Sequence, residues 1–569
     1  MMILGISDGK EGSACLLKDG KIIHAVDEER LTRVKMQPGF PKRSVERILS
    51  YYGTGIDVIA VGGIVTPFIL TRVFRRLQKI ESGVLAGEKN LNSHASNFIK
   101  YGLRWSLADK DSPWIKFQKP VLPWILKREL PDELKEKPIM IVDHHVAHAS
   151  SAFFTSSLGE ALCITADGYG DGVSLSVSAC RGRNITRLYE IRAWDSFGLF
   201  YGLITVMLGF KAHMHEGKVT GLAAFGNAEN VSAEFPFVEK EGRIRYTGNW
   251  GESGLREFGG RLKENSREDV AAWLQKNLET EICALAKSWI NRTGLRNIVL
   301  AGGVFANVKL NQRICELPEA KSVYVFPDMG DGGISAGAAL NAWSKEENVN
   351  HDRIMKNMAM DDVYLGWEYS DDKIEASLKR HGLEYSRARN IEPVVARLLS
   401  EGLTVARFNG RMEFGPRALG NRSILCQATD SSVNDWLNKK LSRTEFMPFA
   451  PSTLVEYAGS CYLNFEKAPK AAGFMTITFP CTPWMTEKCP GAVHRDGTAR
   501  PQLVSKKSNP SFYKIIDGYM KLTGIPTIIN TSFNMHGEPI VESPDDAIRT
   551  FLSARLDCLA MGNFIVKRE

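Results

Sequence analysis

Over the first 30 residues, apolar positions come in three short runs split by small and acidic residues. Met1–Ile6 is apolar, Ser7-Asp8-Gly9 breaks it, Ser13–Lys18 resumes, Asp19-Gly20 turns, and Lys21–Val26 follows. Runs of this length bounded by Gly and Asp predict a three-stranded antiparallel meander. The pattern returns later. Ala161–Ala166 is apolar, Asp167-Gly168-Tyr169-Gly170-Asp171-Gly172 turns, Val173–Ala179 alternates, and Ile185–Ile191 follows a turn at Gly182. Two units of one design predict an internal duplication.

An Asp-Gly turn after the first strand of each unit is the sequence outline of an actin-like, nucleotide-binding α/β fold. Pro138–Phe154 reads as a strand, Ile139–Val142, then Asp143 as N-cap and a helix. Further on, Asp269–Thr293 has a helical pattern, and Asn297–Leu300 and Ser322–Phe326 read as strands. Glu346–Asp362 is polar and linker-like. The boundary is placed at 360, giving domains 1–360 and 361–569.

The helix after Asp143 carries His144, His145 and His148. Positions 144 and 148 share a helix face, so their imidazoles can bind one metal ion. A metalloprotease of the H-E-x-x-H type is disfavoured, because His145 stands where its glutamate base belongs. Asp167 and Asp331, the latter in Pro327–Gly333, follow strands and lie among glycines, which let a turn approach a ligand closely. A two-His, two-Asp set suits iron, manganese or zinc.

With 569 residues, 44% hydrophobic and 24% charged, the chain has the make-up of a multidomain globular protein, not a disordered or fibrous one. The longest apolar stretch, Ile56–Leu70, is too short to span a bilayer. The start of the chain lacks signal-peptide features, and ten scattered cysteines without a C-x-x-C pair fit a reducing, cytoplasmic setting. The net charge is +7, and residues 71–130 alone carry twelve Lys/Arg against five acids. This basic helical insertion includes Arg72, Arg75 and Arg76, with aromatics from Phe74 through Trp105 and Trp114 to Trp124. Two readings stand: a wall of an acceptor site or a face toward an anionic or lipid-linked acceptor, and a solvated insertion.

Ala301–Asn307, AGGVFAN, follows a strand and opens a helix, which sets backbone N–H groups at an anion or nucleotide site. Lys218, in His215–Gly226, can meet a phosphate. In the second half, Arg411, Arg417 and Arg422 lie among glycines in Gly410–Leu425, and Lys439, Lys440 and Arg443 precede Met447–Ser452. Arginine interleaved with Gly and Pro favours guanidinium forks for phosphate or carboxylate. Ile525–Ile529 reads as a strand leading into Asn530, Ser532 and Asn534, short side chains suited to hydrogen-bonding a ligand. Ser543-Pro544-Asp545-Asp546 caps a helix.

In ordered combination these segments resemble the O-carbamoyltransferase family of antibiotic and nodulation-factor biosynthesis. They are EERLTRVK (Glu28–Lys35), DHHVAHASSAF (Asp143–Phe153), DGYGDG, HEGKVTGLAAFG, AGGVFAN, GDGG, GRMEFGPRALGNRSIL, MPFAPS and NTSFNMHGEPIV (Asn530–Val541). The resemblance implies an actin-like N-terminal domain, and a C-terminal α+β domain like threonylcarbamoyl-adenylate synthase. It implies a divalent metal, iron before zinc or manganese, on His144, His148, Asp167 and Asp331. Lys218, Gly221, Gly302, Gly303 and Asn307 would meet the adenylate there. Arg411, Arg417, Arg422, Lys439, Arg443, Asn530, Ser532 and Asn534 would hold carbamoyl phosphate and ATP with Mg2+. The implied partners are ATP, carbamoyl phosphate and a hydroxyl-bearing acceptor, without nucleic acid, and homodimerisation is left open. The first turn departs from the family. Lys10-Glu11 replaces His-Asp, so Asp8, Lys10 and Glu11 form an acceptor or phosphate turn lacking a base at neutral pH. Two alternatives remain on the sequence alone: an actin-like-fold phosphotransferase and a non-catalytic nucleotide-binding partner.

Overall fold

The computed structural model describes residues 1–64, 72, 113–240, 243–346, 357–442 and 448–568. Arg75, Arg76, Trp105 and Arg443 fall outside these residues. The chain divides into two compact units, one of Met1–Glu28 and Met36–Met360, the other of Glu29–Lys35 and Asp361–Glu569.

The first unit is an α/β fold built on two five-stranded sheets of one design. β1 (Met2–Ser7), β2 (Ser13–Lys18) and β3 (Lys21–Asp27) form the antiparallel meander; β4 (Val58–Gly62) and β5 (Ile139–Val142) add in parallel beside β1. The second sheet repeats this with β6 (Glu160–Gly170), β7 (Val173–Arg181) and β8 (Asn184–Arg192) as the meander. A small hairpin, β9 (Phe237–Lys240) and β10 (Arg243–Tyr246), intervenes before β11 (Asn297–Ala301) and β12 (Ser322–Val325) complete the parallel side. The duplication read from the two Asp-Gly turns is therefore present, and it extends to the parallel strands.

Helix Ile334–Ser344 lies on the first sheet, helix His144–Thr155 lies on the second, and the two helices pack on each other. Missing side chains permit this sandwich. A Cβ on Gly5 would come within 2.0 Å of the Ser335 carbonyl oxygen, and one on Gly337 within 1.9 Å of that of Ala147. The helix that begins after the fifth strand of each half thus points its N-terminus toward the Asp-bearing turns.

The second unit is organised on an eight-stranded mixed sheet. Its order is Ser386–Arg387, Phe564–Lys567, Cys558–Met561, Val405–Phe408, Arg422–Gln427, Thr527–Ser532, Ala450–Leu454 and Gln502–Val504. One face packs Val405, Leu425, Leu454 and Ile528 against Val395, Leu399, Phe512 and Ile516 of helices Ile391–Ser400 and Pro510–Thr523. The predicted cap at Ser543 is a full capping box with Asp546. No helix among the described residues is long and apolar enough to cross a membrane.

Of the basic segment, only Arg72 and 113–130 are described. Arg72, counted among the segment's cations, is itself buried and grips Asp8 with two charge-assisted bonds, Nε to Oδ2 at 3.0 Å and Nη2 to Oδ1 at 2.9 Å. Trp124 is exposed, with the Arg128 guanidinium over its ring.

Candidate metal centre

β5 ends at Val142, and Asp143 caps the following helix by accepting from the Val146 amide at 2.9 Å. This fixes the first turn, so His144 and His148 face one direction, buried between the helix and the second sheet. Asp167 lies where the β6–β7 register is irregular, between Ala166 and Gly170. Such a bulge re-aims a side chain, here toward the two histidines. Asp331 opens the short turn before helix Ile334–Ser344.

The four side chains converge. His144 Nε2 lies 3.5 Å from Asp167 Oδ2 and 3.8 Å from Asp331 Oδ1, and His148 Nε2 lies 3.3 and 3.7 Å from the same atoms. One ligand atom from each of the four falls within 4.8 Å of the others. Donors bound to a common tetrahedral ion at ~2.1 Å are separated by about 3.4 Å, and the four His–Asp separations lie close to that value. The buried His144 Nε2 has no hydrogen-bond partner, which a bound cation would supply. The donor set thus fits a metal; it does not discriminate among iron, manganese and zinc.

Electrostatics follow from this packing. Burial alone would lower the His144 pKa, but the Asp167 carboxylate 3.5 Å from Nε2 and the charges of Asp331 and Asp171 lift it to about 9. Burial would raise Asp167, yet the two imidazoles hold it well below the usual carboxylate range. His145 is pushed down to about 3, first by burial and then by His144 and His148. It stays neutral, hydrogen-bonded through Nδ1 to Thr165 Oγ1 and through Nε2 to the Val173 carbonyl. Since only a protonated Nε2 can pair with a carbonyl, His145 is the Nε2–H tautomer, a neighbour of the centre and not a ligand.

Support for the centre comes from residues that the sequence reading did not assign to it. Asp171 accepts from the His144 amide at 2.9 Å and from the Ile64 amide. Arg72 donates to the carbonyls of Gly63 and Ile64, so the first and second Asp-bearing turns are tied together. Positive φ at both Asp171 and Gly172 is the local signal that this Asp sits in a tight hairpin turn. A Cβ on Gly170 would come within 2.1 Å of His144 Cδ2, so glycine there is a condition of the histidine's position.

The remaining predicted residues divide. Glu11 accepts from the Gly332 amide at 3.2 Å, next to Asp331, and Lys10 lies within electrostatic reach of Glu216. Asp8, read as an acceptor or phosphate contact, is instead buried and its two oxygens are taken by Arg72. Gly303 lies so close to Asp167 that a Cβ would stand 3.1 Å from its Oδ1, tighter than ordinary contact, and Gly302 has φ +102 against the Ala166 backbone. Asn307 is a helix cap whose amide also exchanges hydrogen bonds with Gln275, so its polar atoms are committed within the fold. Lys218 and Gly221 are buried on helix Glu216–Leu222, packed toward helix Arg267–Thr293.

In the second unit, Arg422 corrects the expectation of a phosphate fork. It is fully buried, its terminal nitrogens donate to the carbonyls of Asn409, Gly410 and Trp367, and it stacks 3.7 Å from the Phe408 ring centroid. Asn530 is likewise buried, bonded to Ser452 and Gln502, and Asn534 holds the carbonyls of Met535 and Glu538. Arg411 donates to Gly366 and Leu365. Arg417 is half-buried and Lys439 exposed, while Ser532 ends its strand paired with Ser423. The residue missed by motif reading is Glu413, one of whose oxygens receives the amides of Leu419, Asn421 and Arg422 at 2.8, 2.8 and 3.2 Å. It shapes the loop that presents Arg417.

A duplicated α/β fold brings two buried histidines and two carboxylates around one point, a cluster that could hold a metal ion. Comparison with known proteins narrows this. The model of the carbamoyltransferase N-terminus matches residues 2–340, and that of the carbamoyltransferase C-terminus matches residues 396–568. An uncharacterized protein of Methanocaldococcus jannaschii is 32% identical over 584 aligned positions, covering 100% of both chains. Nodulation protein NolNO of Sinorhizobium fredii is 31% identical over 572, covering 98% of this chain and 79% of that one. The chain belongs to the carbamoyltransferase family and is an enzyme of that class, which sets aside the phosphotransferase and non-catalytic readings.

Proposed function

We propose that this carbamoyltransferase acts on a hydroxyl group through a carbamoyl-adenylate. In the second unit, read as similar to threonylcarbamoyl-adenylate synthase, carbamoyl phosphate and water give carbamate and phosphate. Carbamate then attacks the α-phosphorus of ATP and pyrophosphate leaves, with Mg2+ accompanying the nucleotide. In the first unit the acceptor oxygen attacks the carbamoyl carbon; its proton is lost, the C–O bond to the phosphate breaks, and AMP departs with the negative charge. His144, His148, Asp167 and Asp331 would hold a divalent metal, which would supply Lewis-acid polarisation of the carbamoyl group or acceptor oxygen.

The chain's own residues have assignable parts. Asp143, Asp171 and Gly170 fix the histidine positions. Gly302 and Gly303 allow a phosphate to approach Asp167 closely. Lys10 supplies a positive charge at the first turn. Arg417 and Lys439 are the cations assigned to phosphate in the second unit, on a frame that Arg411, Arg422, Asn530 and Asn534 hold.

The observation that carries the reading is the convergence of four metal-competent donors in a chain whose two halves both match carbamoyltransferase models. Its test is product analysis. Purified enzyme given ATP, carbamoyl phosphate, metal and a polyol acceptor should release AMP and pyrophosphate. ADP as the nucleotide product would refute the adenylate route. His144→Ala with His148→Ala should abolish metal binding and carbamoyl transfer while carbamoyl-phosphate-dependent pyrophosphate exchange persists; unchanged transfer would remove the metal assignment.

A further inference from the structure

The segment Glu29–Lys35 follows β3 directly in the chain but belongs to the second unit. It is one helical turn closed by the Arg33 amide on the Glu29 carbonyl at 2.9 Å, with Arg33 itself at φ 62. Two arginines leave it in different directions. Arg30 is buried and its Nη2 donates to the Gly415 carbonyl at 2.7 Å. Arg33 Nη1 and Nη2 donate to the carbonyls of Ile540 and Pro539, each at 2.7 Å, while Nε lies 3.4 Å from Asp546 Oδ1.

Those carbonyls sit on the two loops that matter most in this unit. Strands Arg422–Gln427 and Thr527–Ser532 are antiparallel neighbours, with Ser423 opposite Ser532. The loop carrying Gly415 and Arg417 runs into the start of the first strand, and the loop carrying Asn534, Pro539 and Ile540 leaves the end of the second. Both therefore lie at the same end of the strand pair, joined there by the Phe533 amide on the Arg422 carbonyl at 3.1 Å. Inside the first loop the backbone is already tied down. Leu419 O accepts from Tyr364 Oη and Gln502 Nε2, and Gly420 O accepts from Arg407 Nε. Arg30 adds the bond at Gly415, two residues before Arg417. Backbone held in this way keeps a guanidinium in place for a phosphate without ordering cost at binding.

We propose that Arg30 and Arg33 are positioning residues of the carbamoyl-phosphate site, with the strap Glu29–Lys35 fixing the Gly415–Arg417 and Asn534–Ile540 loops at one end of the sheet. This rests on the reading that the second unit consumes carbamoyl phosphate. Neither arginine touches substrate; each acts through loop backbone. Arg33 bridges two successive carbonyls and Arg30 serves one, so lysine can stand in for Arg30 better than for Arg33.

The test uses the full-length, metal-loaded enzyme with Arg30→Ala, Arg33→Ala and the two lysine variants, which keep the charge and serve if an alanine variant does not fold. Carbamoyl-phosphate-dependent ATP–pyrophosphate exchange gives KM and kcat, and amide hydrogen exchange reads residues 413–423 and 533–542. The alanine variants should raise the KM for carbamoyl phosphate about tenfold or more. Amide exchange should speed up in those two loops, with bound metal unchanged. Arg30→Lys should recover most of the wild-type KM and Arg33→Lys little. Wild-type KM in both alanine variants, or a loss that follows a uniform rise in amide exchange over the whole chain, would overturn the proposal. If the wild-type enzyme lacks carbamoyl-phosphate-dependent exchange, the functional reading fails, and with it the proposal as a substrate-site assignment; the amide-exchange readout then still decides whether the strap orders the loops.

Discussion

Replacing Arg72 with methionine probes the contact that ties the two Asp-bearing turns together. The wild-type guanidinium makes a two-bond pair with a carboxylate that has no solvent exposure and also serves the Gly63 and Ile64 carbonyls at 3.0 and 2.8 Å. Methionine fills much of the volume but strips the buried Asp8 carboxylate of this two-bond cationic partner. Removing one partner of a buried pair costs ~3–5 kcal/mol. With an unfolding entropy of ~2.1 cal/mol/K per residue, a unit of this size has about 0.7 kcal/mol/K, so the melting temperature should fall by roughly 4–7 °C. Because Ile64 also donates to Asp171, which holds the His144 amide, metal affinity should fall by about tenfold or more. The assay is thermal and urea unfolding of the full chain beside metal titration, in a cycle with Asp8→Leu. The double variant should be more stable than Arg72→Met alone, since no buried carboxylate is left without its arginine. A single-variant loss below about 1 kcal/mol, or strictly additive effects, would refute the claim that this pair is a buried, coupled anchor.

Three other expectations concern the two sites. Gly170→Ala should displace His144 and lower metal affinity without removing any ligand, because the new methyl would fall 2.1 Å from His144 Cδ2; metal stoichiometry and affinity equal to wild type would contradict this. In metal-free protein, His144 is lifted to about 9 from an ordinary value near 6.5. The stability it contributes is therefore fully present below pH ~6.5 and is lost as the pH rises through 9. Metal requires the neutral ring, so affinity should climb up to tenfold per pH unit across that window, and a flat profile by titration calorimetry would count against it. Glu413→Ala strips the shared acceptor from three amides, which at ~1–3 kcal/mol for each unsatisfied group should destabilise the second unit by at least about 2 kcal/mol. Denaturant unfolding checks this, and a loss under 1 kcal/mol would contradict it.

Local chemistry explains how much could be read in advance. Asp143 and Ser543 are helix caps because a short side-chain oxygen can reach the amide two or three residues on, a relation that lies entirely within neighbouring positions. The His144/His148 pair needs only helical periodicity, and the two meanders need only alternating runs and Gly-Asp turns. By contrast, Arg422 and Asn530 look like ligand contacts in a motif and prove to be buried scaffolding, since a motif records which residues are needed and not which atoms they serve. Arg72 reads as one of many basic residues in a surplus of charge, and only its partner Asp8, 64 positions earlier, gives it a role.

The sequence by itself determined the duplicated α/β design, the metal-competent histidines and the family to which the chain belongs, because each is carried by spacing within a segment or by the order of segments. Tertiary structure alone decided that Asp167 and Asp331 share a point with both histidines and that Asp8 is spent on Arg72. It also decided that Glu29–Lys35 serves the second unit. Those outcomes depend on which distant groups are brought together, and burial turns an ordinary turn residue such as Asp8 into an anchor by removing water as its alternative partner.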